Sequence, residues 1–486
     1  MVIKDSLKLR IGLDIDRSLF LCVALFLILN AVLYAFSVDK LEDGQVISAT
    51  YWNASDGQRY WGAAVNLATK GEFTVPSQND EPLSRAGPLP ALFFAIPMYI
   101  VGFDRAPALI VASQCFILLL MGLMTSSLAK NFNISPFWSF ALVIFNPNLI
   151  GLAHHGQSDL LFSFIFLVAI CIASRMIRKS ADLRAGEFVV LGIVAGCLAL
   201  TRGVGQYYAI FLPFFLICAI LVSQRGKTER VAWRKILLGI IAYCIAWIIV
   251  TTPWAIRNHI VLEDYGLTQS EAIMMRDQYR FMLRLSGLNK EQDYRSPTEV
   301  AAEYLTHNDL DPSCVERFKD TDCKSSLSRA YLQAIVEKGL GPIAKGLGHA
   351  WVSLFFSSSA SRIANYVGLN ASSMHSMVLK EYEGARTFVK YAKAAVVEKP
   401  MYAALLFLAL VFATVSRVLG LLGIYRLAIN RPCQPLLLFL FLSGGLLVGA
   451  YMFVGISRYR APLEPMLMLL TVAAWKTFDK GFKRKP

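Results

Sequence analysis

The sequence predicts an all-α protein that crosses a membrane many times. Of its 486 residues, 56% are hydrophobic and 17% are charged, whereas soluble proteins carry roughly a quarter of charged residues. Apolar stretches of about 20 residues, the length that a helix needs to cross a bilayer, recur along the chain. Lys and Arg concentrate in short segments between them. This pattern excludes a disordered chain, a collagen and a small disulfide scaffold.

Ten stretches have the length and composition of crossing helices. They are 18–38, 106–128, 134–153, 159–177, 186–201, 204–222, 236–252, 401–424, 435–455 and 462–475. An eleventh, 88–103, is shorter and contains Pro88, Pro90 and Pro97, which favours an in-plane or re-entrant helix. We therefore expect a bundle of about ten, at most eleven, crossing helices.

The basic segments predict the orientation of the chain. Both termini, the loops near 175–184 and 225–235, and the pair Arg426 and Arg431 are short and rich in cations, so the positive-inside rule places them in the cytoplasm. The same rule accounts for the net charge of +14, and no nucleic-acid partner is expected.

Three parts follow from this orientation. Residues 1–252 form a seven-helix module that includes a first loop at 39–105; a large loop occupies 253–400; and the last helices with a basic tail occupy 401–486. Both loops are predicted to lie outside the cytoplasm, the first with helices in the plane of the membrane.

The first loop contains an amphipathic helix. Residues 56–68 place Trp61, Val65 and Ala68 on one side, as in a helix that lies at a membrane surface. Asp56 at its start has two readings. It caps the helix, which spacing alone favours, or it is a general base whose proton affinity is raised beside the apolar phase.

A second acid, Asp159, lies at the predicted outer end of a crossing helix and follows His154 and His155 closely. Ionisable residues at such boundaries are candidates for function, although an acid at a helix N-terminus is also favoured by the helix dipole. The two histidines and Asp159 are weak candidates for a divalent metal, because adjacent histidines seldom face one ion and no third strong ligand is near.

Arginines at the predicted outer boundaries form a further group of candidates. The positive-inside rule disfavours cations there, and the planar guanidinium is suited to phosphate. Each one alone is also explained as an anchor to anionic lipid headgroups. The group consists of Arg85, Arg202, Arg257, Arg458 and Arg460.

Two further segments predict local structure. Pro253 is expected to end a helix, with Trp254 at the membrane interface. Glu464 is expected about one turn inside the membrane, where a buried acid needs the neighbouring arginines as partners. In the large loop, 325–337 reads as a helix, and Cys314 and Cys323 either form a disulfide in an oxidising compartment or stay free thiols.

Six short segments resemble the GT-C-type membrane glycosyltransferases that use polyprenyl-phosphate sugars, close to the protein mannosyltransferases of family 39 and the lipid A aminoarabinose transferases. The segments are DGQRYWGAA at 56–64, GEF at 71–73, RAGPLP at 85–90, TR at 201–202, PWAIRN at 253–258 and RYRAPLEP at 458–465. Each is weak alone, but their order and their placement at predicted outer boundaries make the combination specific. In this family a seven-helix module precedes a large outer loop, as predicted here.

The resemblance implies an inverting transfer of a sugar from a polyprenyl-phosphate donor to a glycolipid, polysaccharide or protein acceptor. It implies a multi-pass protein of the bacterial inner membrane whose site faces the periplasm or exterior. Asp56 matches the position of the family's catalytic acid and Asp159 a second acidic position. The outer arginines, with Tyr459, would surround the donor phosphate, and a divalent cation is possible because members differ in metal need. Candidates for contacts with sugar or acceptor are Tyr60, His155, Trp254 and Glu464.

The sequence also departs from the family. Gly57 follows Asp56 where many protein mannosyltransferases have a second acid, and Gly203 follows Thr201 and Arg202 where a proline is common. The soluble module that protein mannosyltransferases insert is absent from the sequence, so transfer to protein is not favoured over transfer to a glycan or glycolipid.

Two other functions stay open. A transporter or flippase for lipid-linked sugars would also be a basic polytopic chain, but transporters place ionisable residues at mid-membrane and contain inverted repeats, whereas the predicted spans are almost uncharged and show no repeat. A polysaccharide polymerase or ligase would use a diphosphate-linked oligosaccharide, against which the segments at 253–258 and 458–465 argue. No Walker loop, dinucleotide fingerprint, HExxH or GxSxG motif occurs.

Overall fold

A computed structural model describes most of the chain. The described residues are 17–38, 56–76, 80–180, 182–225, 233–288, 295–317, 321–357, 362–364, 393–394 and 396–481. Within these ranges the protein is almost entirely helical, with one short antiparallel pair of strands, β1 (Thr74–Val75) and β2 (Glu81–Pro82).

The helices follow one another in three groups along the chain. The first group is α1 (Arg17–Val38), α2 (Asp56–Lys70), α3 (Pro88–Val101), α4 (Ala106–Asn131), α5 (Pro136–Ile144), α6 (Pro147–Ala153), α7 (Asp159–Arg178), α8 (Ala185–Thr201), α9 (Gly203–Ser223) and α10 (Trp233–Leu262). The large loop contributes α11 (Glu271–Ser286), α12 (Pro297–His307), α13 (Thr321–Glu337) and α14 (Leu340–Phe356). The last group is α15 (Pro400–Ile429), α16 (Gln434–Ala450) and α17 (Glu464–Gly481), with a 3-10 segment, Ser457–Leu463, before α17.

The predicted multi-pass helical class is confirmed. Seven helices in the described ranges are long and apolar enough to cross a membrane, or eight if α5 and α6 count as one broken span. Two shorter apolar helices, α3 and α8, coincide with the predicted stretches 88–103 and 186–201. The tenth predicted stretch, 462–475, begins in the 3-10 segment and continues as α17. Each predicted stretch therefore contains a helix.

The prediction of one continuous helix over 134–153 is wrong. The chain bends by 52° between α5 and α6, because Pro147 has no amide hydrogen to continue the ladder. The Asn146 side chain instead accepts from the backbone amides of Asn148 and Leu149 and caps α6. The break places Asn146, which is 1% exposed, inside the helix bundle.

The prediction that Pro253 ends its helix is also wrong, since α10 continues to Leu262. The turns after Pro253 are held by side-chain bonds to the chain that follows. Trp254 Nε1 donates to the Leu267 carbonyl at 3.0 Å, and Asn258 Nδ2 donates to the Gly266 carbonyl at 2.7 Å. These bonds stabilise the helical end despite the proline.

The large loop folds around a core of its own. Tyr279, Met282, Leu305 and Leu327 are buried together with Phe453, which comes from the turn between α16 and α17. Gln278 fastens this turn: its amide nitrogen donates to the Ala450 carbonyl at 2.9 Å, and its oxygen accepts from the Phe453 amide at 2.7 Å. The loop helices are therefore docked on the 451–456 turn.

A disulfide joins Cys314 to Cys323 in the large loop, so the first of the two expectations for these cysteines is correct. It ties the 3-10 turn Pro312–Val315 to α13. Beside it, Lys324 forms an ion pair with Asp264, and both side chains are nearly buried. The predicted helix at 325–337 lies within α13.

The first loop contains the predicted amphipathic helix as α2. The chain then returns past α8 at Gly87, where a Cβ atom would lie only 1.9 Å from the Leu200 carbonyl oxygen. Only glycine allows so close a backbone approach. This contact brings the start of α3 next to the end of α8, immediately before Arg202.

Candidate active site

Asp159 and Arg202 form a buried ion pair between three helix ends. Asp159 is the first residue of α7, and Arg202 is the extended residue that separates α8 from α9. Arg202 Nη1 donates to Asp159 Oδ1 at 2.5 Å, and their side chains are 12% and 4% exposed. The same nitrogen donates to Ser158 Oγ at 3.3 Å. A charge-assisted bond between such groups is stronger than a neutral one.

Tyr60 connects α2 to this pair. The Ser158 hydroxyl donates to the Tyr60 hydroxyl at 2.9 Å, and Tyr60 is buried. Asp56 begins the same helix four residues earlier, so its backbone lies about 6 Å, one helical turn, from that of Tyr60. The side chain of Asp56 lies outside the described part of the structure.

Tyr459 approaches the pair from the 3-10 segment before α17. The Arg202 guanidinium carbon lies 5.5 Å from the centre of the Tyr459 ring, within the range of a cation–π contact. Tyr451 stacks on the Tyr459 ring with 4.0 Å between the ring centroids, and Arg458 Nη2 donates to the Tyr459 hydroxyl at 3.0 Å.

We call Tyr60, Ser158, Asp159, Arg202 and Tyr459 the site cluster. It joins residues from α2, α7, the junction of α8 and α9, and the 3-10 segment. Four of the five were candidates from sequence, and the structure brings these four together. The cluster gathers the hydroxyl groups of Tyr60 and Ser158 and the guanidinium of Arg202 around a buried carboxylate, and a guanidinium is a suitable partner for an anionic ligand.

Arg257 and Trp254 lie apart from the site cluster. Arg257 donates to the carbonyls of Phe73 at 2.9 Å and Leu83 at 3.0 Å, which hold the strand pair of the first loop against α10. Its guanidinium also lies 4.7 Å from the Trp254 ring, which meets Phe73 edge-on. Arg257 and the Trp254 ring therefore dock the first loop, while Trp254 Nε1 bonds to the segment after α10.

Arg85 lies in a second group of cations. Burial, and then the neighbouring charges of Arg59 and Arg276, lower its pKa from the ordinary value, while Glu81 and Asp277 act in the opposite direction. An anion between these cations would offset the unfavourable effect of Arg59 and Arg276 on the charged form of Arg85. This group spans α2, the segment before α3, and α11.

His154 and His155 are directed to other partners. His154 Nε2 is 2.8 Å from Asn30 Oδ1 of α1, and His155 Nδ1 is 2.6 Å from the Gly151 carbonyl. In the described part of the chain, no group of three or more His, Cys, Asp or Glu side chains is placed to hold a metal ion. The structure therefore does not gather His154, His155 and Asp159 into a metal site.

Arg460 and Glu464 lie in a separate buried cluster. Arg460 Nε donates to Glu464 Oε1 at 2.5 Å, and the expected pairing of this acid with an arginine is present. Arg460 also donates to the carbonyls of Leu354 and Ser357. These bonds would have to break before Arg460 held a phosphate.

Three residues that the structure places at these clusters were not predicted from the sequence. Ser158 bridges Tyr60 and Arg202, and its position directly before Asp159 was the available signal. Arg417 is 5% exposed and bonds to Glu464. An arginine within the apolar stretch 401–424 was a signal in its own right. Asn146, before Pro147, also bonds to Glu464.

Comparison with known proteins gives distant structural likenesses only. No family model and no curated protein matches the chain. The oligosaccharyltransferase AglB of Archaeoglobus fulgidus, in complex with an inhibitory peptide and a dolichol-phosphate, is 13% identical with a TM-score of 0.47, over 94% of this chain and 50% of that one. An oligosaccharyltransferase of Archaeoglobus fulgidus in the apo form is also 13% identical, with a TM-score of 0.46, over 95% of this chain and 52% of that one.

ArnT of Cupriavidus metallidurans, bound to undecaprenyl phosphate, is 13% identical with a TM-score of 0.36, over 94% of this chain and 78% of that one. The chain spans about half the length of the archaeal proteins that it matches. At these identities and scores, the likenesses assign neither a family nor a reaction to this chain.

Proposed function

We propose that the protein is a membrane glycosyltransferase that moves a sugar from a polyprenyl-phosphate donor to a hydroxyl or amine acceptor outside the cytoplasm. One observation carries the proposal. Tyr60, Arg202 and Tyr459 come from three of the segments that resemble GT-C glycosyltransferases, and together with Asp159 they form one cluster. That cluster lies beside the helix that begins at the proposed base, Asp56.

The reaction is an inverting displacement. The acceptor oxygen or nitrogen forms a bond to the anomeric carbon while the bond from that carbon to the phosphate oxygen breaks. Asp56 takes the proton of the acceptor as general base, and the polyprenyl phosphate leaves with its charge stabilised by arginine. Asp159 holds Arg202 in place for this role through the ion pair.

Arg85 is the proposed principal contact of the donor phosphate. Arg202 is already bound to Asp159, whereas the cations Arg59 and Arg276 lie near enough to Arg85 to disfavour its charged form. A phosphate would relieve this repulsion. Arg458, beside Tyr459, would extend the positive surface toward the site cluster.

The test is the Asp56→Asn variant in a reconstituted assay with undecaprenyl-phosphate- and dolichol-phosphate-linked sugars. We expect turnover to fall at least about 100-fold, the scale of a lost general base. The control is Asp104→Asn, which alters an exposed acid of the same first loop and should keep full turnover. Equal turnover of Asp56→Asn and the parent protein would remove Asp56 from the reaction.

A transporter or flippase is the second candidate, because the expectation that the crossing helices are almost uncharged is not met. Arg417 and Glu464 are buried charges inside predicted spans, and α5 and α6 form a broken helix pair, both of which are features of transporters. Movement of a lipid-linked sugar across sealed vesicles, with no covalent product, would favour this function over transfer.

A further inference from the structure

Glu464 lies at the centre of a buried ion cluster with two arginines. Arg417 Nη2 is 2.9 Å from both carboxylate oxygens of Glu464, and Arg460 bonds to one of them. The side chains of Arg417, Arg460 and Glu464 are 5%, 2% and 0% exposed. We call these three residues the Glu464 cluster.

The Glu464 cluster contains one cation more than it has anions, and a buried excess charge is unfavourable unless other groups compensate it. The C-terminal end of α14 supplies that compensation. Arg417 Nε donates to the Phe355 carbonyl at 3.3 Å, and Arg460 donates to the carbonyls of Leu354 and Ser357. Carbonyls at a helix C-terminus lack partners within the helix and form the negative end of its dipole. The last helix of the large loop therefore ends on this cluster.

Two chain segments lead from the Glu464 cluster to the site cluster. Asn146 donates to Glu464 at 3.0 Å and caps α6, which runs toward Ser158 and Asp159. Arg460 directly follows Tyr459, whose ring faces Arg202. Asn148 joins the two segments by donating to the Ser457 carbonyl at 3.0 Å.

We propose that Arg417 is a positioning residue for the transfer reaction, acting through Glu464 and Arg460 on Tyr459. The contact of Arg417 Nη2 with both carboxylate oxygens of Glu464 fixes the start of α17, and Arg460 then fixes the 3-10 segment that carries Tyr459. Neither Arg417 nor Glu464 touches the site cluster in the described contacts. This inference rests on the proposed glycosyl transfer.

The first test is Arg417→Lys, which keeps the charge but cannot bond both carboxylate oxygens and the Phe355 carbonyl in the planar arrangement of arginine. We expect kcat to fall about 10- to 100-fold, the scale of a site misplaced by about 1 Å, with the KM for the donor nearly unchanged. The matched control is Arg426→Lys on the same helix, whose arginine also donates to a carbonyl of α17, that of Ala473. It should leave kcat unchanged.

A double-mutant cycle separates positioning from a purely structural role. Residues without contact normally have additive effects. If Arg417 acts through Tyr459, the loss of kcat caused by Tyr459→Leu should be much smaller in Arg417→Lys than in the parent protein. Additive losses, or an unchanged kcat in well-folded Arg417→Lys, would overturn the proposal. Thermal unfolding in detergent verifies that both variants fold.

A readout independent of transfer completes the test. In a Tyr459→Cys protein, alkylation of that cysteine, followed by peptide mass spectrometry, should become several-fold faster with Arg417→Lys and stay unchanged with Arg426→Lys. Equal rates would refute positioning by Arg417. Absence of any transfer by the parent protein, with faster alkylation in Arg417→Lys, would refute the glycosyl transfer while the structural link stands.

Discussion

Two neighbouring histidines lie near Asp159 in surroundings that keep them neutral. Burial lowers the pKa of His154 to about 4, and burial together with the charge of Arg362 lowers that of His155 to about 3. In an unfolded chain both would titrate near 6.5. The unfolded state therefore binds more protons than the folded state between about pH 6.5 and pH 4, and stability falls as the pH decreases through that range.

We accordingly predict that the protein loses about 1 kcal/mol of stability for each of the two histidines between pH 7.5 and pH 5.5. Thermal unfolding in detergent at the two pH values measures this loss. His154→Gln should reduce the pH dependence by about half, whereas His307→Gln, at an exposed position of α12, should not. An identical pH dependence in His154→Gln would contradict the prediction.

At the residue scale, the sequence named candidates but did not assemble them. Tyr60, Asp159, Arg202 and Tyr459 were found from residue type and predicted boundary. No local pattern predicts that Ser158 bonds to both Tyr60 and Arg202. Such contacts depend on how distant helices pack, which hydrophobic periodicity does not encode. Arg417 was missed because length and apolar content alone defined its stretch, although a buried cation there required a partner.

At the element scale, the approach of α3 to α8 gives a second prediction. A Cβ atom on Gly87 would lie 1.9 Å from the Leu200 carbonyl oxygen, and the rigid backbone has to move to admit it. Gly87→Ala should therefore destabilise the protein by about 1 to 3 kcal/mol, as overpacking does, and should shift the Arg202 junction that follows.

Gly186→Ala is the control, because a Cβ atom at Gly186, on the same α8, meets nothing within 4 Å. Alanine is the better helix former by about 1 kcal/mol, so this variant should be as stable as the parent or more so. Thermal unfolding and transfer activity compare the two. Equal stability of Gly87→Ala and the parent would show that the backbone approach is looser than described.

The helices were predicted well because apolar length is a local property. The two wrong helix predictions both lie at prolines, because a proline either breaks a helix or is accommodated within it. Asn146 and Pro147 break a predicted span, while Pro253 is accommodated inside α10. The outcome depends on the partners of the neighbouring polar side chains. Asn146 caps α6 and bonds to Glu464, whereas Trp254 and Asn258 bond to the chain after α10 and stabilise its last turns.

At the scale of the whole molecule, the disulfide gives a third prediction. Cys314 and Cys323 are nine residues apart, and closing a loop of that length contributes about 2 to 3 kcal/mol. Cys314→Ser with Cys323→Ser should lower the unfolding temperature of the large loop, and a reductant should lower it similarly in the parent. Cys218→Ser, which replaces a free thiol, is the control. Its unfolding temperature should still fall when the reductant is added. Indifference of the parent to reductant would contradict the prediction.

The packed core of the large loop includes a segment from outside the loop, the 451–456 turn. Phe453 belongs to the turn between α16 and α17, yet it is buried in the core of the loop, and Gln278 of α11 bonds to the backbone of the same turn. A chimera that exchanges 253–400 alone would leave this aromatic ring without its pocket. Any exchange of the large loop therefore has to transplant 451–456 with it, as one unit.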